Sequence, residues 1–461
     1  MSTRKDDPRE DPKTGAKAEA PAGAQPEAEL KVGQEAAGAK KAEITDVDSS
    51  APEVEKFAHA MIFEAIGMKA SDIHIEPFDD PSGKHAKVMV RYRVDGALRE
   101  GKMRIPWSYR NAIISKIKIM TGSMNISDRR IPQSGRIQVL VRGNPIEFRV
   151  EVIPSAFGEA CVMRILDRAS VQVDIKTMGF MPDTQERFLG LLEGVGGKRN
   201  SGLILCCGPT GSGKSTTLYG ALNYINKPEI KILTAENPVE YNLDGIIQVP
   251  INPEIKLGED KRFNFAMALR SFVRLDPDVI MVGEIRDQET AETAMEAAMT
   301  GHLVFSTIHT NDAPSAIGRL VEMGIPAYLV ASTIKAILGQ RLSRRLCPEC
   351  KTSHDPTPEE AGVFAANRVD LPKGAKLYDK GPGCPRCRGM GFKGRMGQHE
   401  LMVMSDRLRA TCIKNVSADV LRVVAVEEGM RLLIQDGLEK AKTGITTVRE
   451  VLGGGEEEAK K

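Results

Sequence analysis

The stretch GPTGSGKSTTLYG, residues Gly208 to Gly220, decides the fold. It follows the spacing GxxxxGK[ST], with the apolar run SGLILCC before it and STTLYGALNYI, apolar at helical intervals, after it. A buried strand therefore enters the loop and a helix leaves it. Gly208, Gly211 and Gly213 allow positive φ and a close approach of backbone N–H groups to phosphate oxygens, which the N-terminus of the helix also attracts. Gly208, Pro209, Thr210, Gly211, Ser212, Gly213, Lys214, Ser215 and Thr216 together make the expected nucleotide cradle. Lys214 supplies a cation for the β and γ phosphates, and the Ser215 hydroxyl is placed to ligate magnesium.

Strands and helices alternate downstream, which predicts an α/β domain with a mostly parallel sheet. EIKILTAE ends in carboxylates, PDVIMVGEIRD runs from apolar to acidic, and GHLVFSTIHTND ends in polar residues. All three polar ends are expected on the edge where the phosphate loop lies. Glu284 is the leading candidate to hold magnesium through water or orient the attacking water. Glu236 is a candidate for polarising that water, and Glu240 for touching metal or substrate indirectly. His309 is placed to sense a γ phosphate by hydrogen bonding, with a structural histidine as the alternative. An arginine that reaches the developing charge is still required. Arg136 and Arg149, on strands of an N-terminal module, are candidates, although a solvated strand residue is the plainer reading of each.

Bulk properties limit the partners. The 461 residues suffice for two to four domains. With 64 basic against 62 acidic residues the net charge is +2, and aromatics are 5%. Neither supports nucleic-acid binding, and no apolar run approaches the ~18 residues of a membrane span. A cytoplasmic chain is expected, touching membranes only through partners.

Four of the eight cysteines are paired, CPEC at Cys347 and Cys350 and CPRC at Cys384 and Cys387. Two such knuckles predict a tetrahedral zinc site of four thiolates, closed to substrate and hence structural. The gap between them exceeds the usual ~15–20 residues, so TPEEAGVFAANRV is expected to be a helix within an insert. Cys161, Cys206, Cys207 and Cys412 read as small buried residues.

Along the chain, residues 1–53 lack the apolar content to fold and are expected to be a disordered tail. Residues 54–166 read as an α+β domain, 167–200 as a linker with one helix, and 201–346 as the P-loop core. A tetracysteine subdomain at 347–388, a helical region at 389–453 and a short tail at 454–461 complete the division.

Together these motifs carry a resemblance. ASDIHIEP with RYRVDG, RRIPQSGRI, the phosphate loop, TAENPVEY, LRSFVRLDPDVIMVGEIRDQETA, TGHLVFSTIHTND, GQRLSRRLCPEC with CPRC, and MRLLIQDGLEKAKTGITTVREVL follow one another in order. The chain resembles the secretion ATPase superfamily, specifically the type II secretion and type IV pilus assembly (extension) ATPases. The resemblance implies a RecA-like nucleotide domain behind a PAS-like N-terminal domain, and a homohexamer with ATP bound between the two. It further implies a cytoplasmic enzyme peripheral to the inner membrane, acting on a platform protein to assemble a pilus or pseudopilus. The acidic "Asp box" falls on Thr234 to Tyr241, the Walker B segment on Val279 to Glu284 and the "His box" on Gly301 to His309. Arginine fingers come from the N-terminal domain, with Arg136 and Arg149 as the pair and Arg130 or Arg164 as substitutes. Asn237 stands where many relatives have Asp. The paired cysteines favour extension or secretion over retraction. A zinc-bearing nucleic-acid translocase and an ATP-binding scaffold without turnover are the alternatives from other classes.

Overall fold

The structure, a computed structural model, describes residues 42–44, 52–79, 86–167, 174–194, 200–252 and 262–453. In the N-terminal lobe, EVEKFAHAMIFEAIGM forms the helix Glu53–Met68, which ends at Lys69 in the left-handed conformation. It packs with the helix Arg110–Thr121 on a seven-stranded sheet. The strand order is Ala42–Ile44, Gln133–Val141, Asn144–Ser155, Gly158–Asp167, Asp72–Phe78, Lys87–Val94 and Ala97–Glu100. All neighbours are antiparallel except the first pair. Alternation explains the packing, since Ile73, Ile75, Val90, Tyr92, Phe148 and Val150 point inward and are fully buried while their neighbours face out. The expected tail thus contains a short strand, Ala42–Ile44, and 1–41, 45–51 and 454–461 lie outside the described residues.

A second seven-stranded sheet carries the phosphate loop. Its order is Ile247–Pro250, Ile232–Glu236, Val279–Val282, Leu303–Ile308, Gly202–Cys207, Ile334–Leu346 and Phe392–Val403, parallel except for the last strand. One face is covered by the helices Pro182–Glu193 and Lys214–Ile225 through Phe188, Leu218 and Leu222. The other is covered by Phe265–Phe272, Gln288–Met299 and Ala313–Glu322 through Leu269, Ala294 and Ile317. Burial from both sides is why the central strands Gly202–Cys207, Val279–Val282 and Leu303–Ile308 are buried at every position.

The region expected to be helical, 389–453, opens instead with the strand Phe392–Val403, which pairs along Ile334–Leu346 and completes the nucleotide-domain sheet. Seven consecutive residues of that strand are buried, so it lacks the period of two that marks a half-exposed strand. The cysteine insert does hold a helix, Pro358–Ala366, begun by a capping box between Thr357 and Glu360.

Candidate functional site

The strand Gly202–Cys207 delivers its chain into a tight loop, with φ of 149° at Gly208, 80° at Gly211 and 87° at Gly213. A Cβ on Gly208 would stand 2.3 Å from the Gln340 carbonyl oxygen, so only glycine fits there. Lys214 folds back over the loop, its Nζ donating to the Gly208 and Pro209 carbonyls at 2.8 and 3.0 Å. Burial is the main cause holding its pKa below the ordinary lysine value. Ser215 and Thr216 open to the cleft from the first turn of the helix.

Gln340, a residue the sequence reading passed over, clamps this loop from the adjacent strand. Its Nε2 donates to the Ser212 carbonyl at 2.9 Å and its Oε1 accepts from Thr217 Oγ1 at 2.7 Å. It lies some 130 positions from the loop, so only the pairing of the two strands brings it there.

The other strand ends converge as expected. Glu236 is buried, with Oε1 accepting from Thr234 Oγ1 at 2.5 Å and from Gln248 Nε2 at 3.0 Å, and Oε2 accepting from the Tyr219 hydroxyl. Tyr219 in turn accepts from the Glu240 N–H at 3.1 Å. Burial raises the Glu240 carboxyl above its ordinary range, aided by Glu236 and opposed by Arg164 and Arg149. Glu284 is more open and lies 2.6 Å from Arg286 Nε and 3.4 Å from His309 Nε2. Burial first, then Lys214, lowers the His309 pKa, with Glu284 opposing. A neutral imidazole beside that carboxylate is the result.

Facing the loop across a cleft of about 430 Å³ is the N-terminal lobe, represented by Ser71, Arg164, Ile165 and Leu166. Arg136, Arg149 and Arg164 lie side by side on three neighbouring strands, and Asp72 on the next strand continues the row. Of the three arginines, Arg164 lines the cleft, its Nε donating to Asp72 Oδ1 at 2.9 Å. Arg149 acts on Glu240 through space, and Arg136 is turned to Glu147 at 3.4 Å. Arg130 pairs with Asp128 away from the cleft wall. The cleft therefore gathers the loop, Glu236, Glu240, Glu284 and His309, but of the arginines the substitute Arg164 rather than the first-choice pair.

Away from the cleft, the four cysteine sulfurs all lie within 4.8 Å of one another. The separations Cys347–Cys384, Cys350–Cys387 and Cys384–Cys387 are 3.6, 3.7 and 3.7 Å. A tetrahedron of ~2.3 Å zinc–sulfur bonds has edges of about 3.8 Å, so the donor set fits zinc in kind and in size. Burial opposes the Cys387 thiolate, yet the N–H groups of Cys384 and Gly391, each donating at 3.2 Å, draw its pKa down to about 6.

A Gly-rich loop between a central strand and a helix, with acidic strand ends around it in a parallel sheet, defines a P-loop nucleotide-binding protein. The family model "Type II/IV secretion system protein" matches residues 47–453, and the chain belongs to that family. It is 44% identical over 401 residues to "Type IV pilus assembly ATPase PilB" of Myxococcus xanthus, covering 87% of this chain and 67% of the relative. The PilB of Thermus thermophilus is also 44% identical, over 88% of this chain but only 43% of its own length. "Type II secretion system protein E" of Xanthomonas campestris is 43% identical over 89% of this chain and 68% of its own. The chain thus spans from under half to about two thirds of these relatives. Among solved structures, the pilus retraction motor PilT with bound ADP aligns at a TM-score of 0.55 and 26% identity, over 85% of this chain and 95% of that one. The Legionella pneumophila ATPase DotB shares the fold at a TM-score of 0.60 and 20% identity, over 90% and 99% of the two chains.

Proposed function

We propose that this chain is an ATPase that works as a homohexamer in the cytoplasm, at the inner membrane, and drives assembly of a type IV pilus or a type II secretion pseudopilus through a membrane platform protein. The observation that carries the reading is the two-walled cleft, with the phosphate loop on one side and Arg164 of the N-terminal lobe on the other. The relatives named as pilus assembly ATPases and secretion proteins support the choice of machinery. Among the described residues no helix is long and apolar enough to cross a membrane, which fits contact through a partner.

In this reading the loop amides and Lys214 bind the β and γ phosphates, Lys214 leaving the two carbonyls it now caps. Ser215 and the nearby carboxylates hold magnesium, which when bound neutralises phosphate charge. Glu284 orients the attacking water, because three donors engage Glu236 inside the sheet edge whereas Glu284 lines the cleft with its partners Arg286 and His309 exposed. Glu236 then serves with Tyr219 to hold the segment bearing Glu240. Neutral His309 reads the γ phosphate beside Glu284. Arg164, with Arg149 behind it, stabilises the charge that develops on transfer, and splitting the triphosphate lets the walls move against each other. Cys347, Cys350, Cys384 and Cys387 hold zinc, whose chemistry is to cross-link the two knuckles.

Steady-state phosphate release tests the enzyme. Glu284→Gln should retain ATP binding and lose turnover by ~10²-fold or more, in line with removal of a residue that acts mainly in the transition state. Equal rates in wild type and variant would leave a scaffold that binds without turnover. Single-stranded DNA should leave the rate unchanged, and stimulation at physiological salt would favour a translocase.

A further inference from the structure

Across the cleft the two walls meet through the charges of Arg164 and Arg149 on Glu240. Among the described residues, one segment joins the two lobes away from the cleft. Within the nine residues 387–395, Cys387 belongs to the four-thiol cluster and Met390 is half-buried against the core of the N-terminal lobe. Gly394 donates its N–H to Asp95 Oδ2 at 3.0 Å, and Arg395 emerges on the cleft wall. Hydrogen bonds order both sides of this seam. The Gly391 N–H donates to Cys387 Sγ and the Gly391 carbonyl accepts from Cys347 N at 2.9 Å, so the segment is anchored on the knuckle. Asp95 and Gly96, with φ of 49° and 89°, form the tight hairpin turn between Lys87–Val94 and Ala97–Glu100, and Arg93 Nη1 donates to the Gly96 carbonyl at 2.9 Å. At the same seam Arg99 of the lobe feels the charges of both Asp95 and Arg344, and Arg344 of the nucleotide domain is itself paired with Glu450 at 2.5 Å.

We propose that Met390 and Asp95 are positioning residues for the ATP cleft, through which the four-cysteine knuckle holds the N-terminal lobe so that Arg164 faces the phosphate loop. This rests on the ATPase reading of the cleft. It gives the knuckle a task beyond local stability: loosening the knuckle loosens the grip on the triphosphate.

The test is single-molecule energy transfer between non-canonical fluorescent residues at exposed Lys102 and Glu296, in full-length chains diluted into unlabelled protein. Asp95→Asn and Met390→Ser should each broaden the distance distribution and raise KM for ATP about five-fold, with ADP affinity within about two-fold of wild type. Cys384→Ser should reproduce the broadening. Unchanged distances in the Asp95 and Met390 variants, or changed distances with an unchanged KM, would overturn the proposal, as would wild-type distances in Cys384→Ser. Because the distance readout needs no hydrolysis, a wild-type chain that fails to turn over ATP refutes the ATPase reading separately.

Discussion

The two walls of the cleft are built in opposite ways. On the nucleotide-domain side the loop is tied from within by Lys214 and clamped by Gln340, and its carboxylate neighbour Glu236 is satisfied by three donors. On the other side Arg136, Arg149 and Arg164 have side chains 55%, 48% and 58% exposed, each with a carboxylate partner from its own lobe. One wall is preorganised whatever the lobes do, and the other works only when its lobe is correctly placed. In the proposed reading, a site divided this way lets movement switch the chemistry while the nucleotide stays bound.

The comparison breaks most sharply at Lys214. Lys214→Ala should lower kcat/KM by about 10³-fold, since the cation folded over the phosphate loop is lost, with folding preserved by circular dichroism. A smaller effect is expected at the clamp: Gln340→Leu strands the Thr217 hydroxyl and the Ser212 carbonyl and should cost ~2 kcal/mol in denaturant unfolding, with weaker binding of ADP and ATP alike. Cys384→Ser, which opens the metal cluster, should bring unfolding of the C-terminal region forward, and metal analysis of the wild type should return close to one zinc per chain. The smallest effect is at Glu240. Because burial raises its pKa in the folded state, that state binds the proton more tightly than the unfolded chain does. The charged group therefore opposes folding at neutral pH, and the penalty disappears as pH falls through the raised value to below the ordinary 4.5. Glu240→Gln should raise the melting temperature slightly at pH 7 and leave it unchanged near pH 4.

What the sequence made legible divides along the same line. The phosphate loop is a local motif, and strand ends after apolar runs have to meet at one edge of a parallel sheet, so Glu236, Glu284 and His309 were readable. Gln340 was not, because its role depends on two strands far apart in sequence becoming neighbours. The strand Phe392–Val403 reads as part of a helical region because burial on both faces erases the alternation that identifies a strand. The order among the arginines is not legible from pattern. Arg136, Arg149 and Arg164 share one row across the sheet, so pattern alone treats them alike, and only the posture of the lobe selects Arg164. The paired cysteines were legible as a cluster, but their neighbour Met390, which reaches the other lobe, carries no motif.

The claim that one triphosphate is gripped by both walls is tested most directly by calorimetric titration of ADP and of a non-hydrolysable ATP analogue into wild type and Arg164→Ala. The two-walled cleft predicts that the variant binds the analogue about ten-fold more weakly, ~1.4 kcal/mol, while ADP binding is unaltered. Identical affinities of both proteins for the analogue would contradict it.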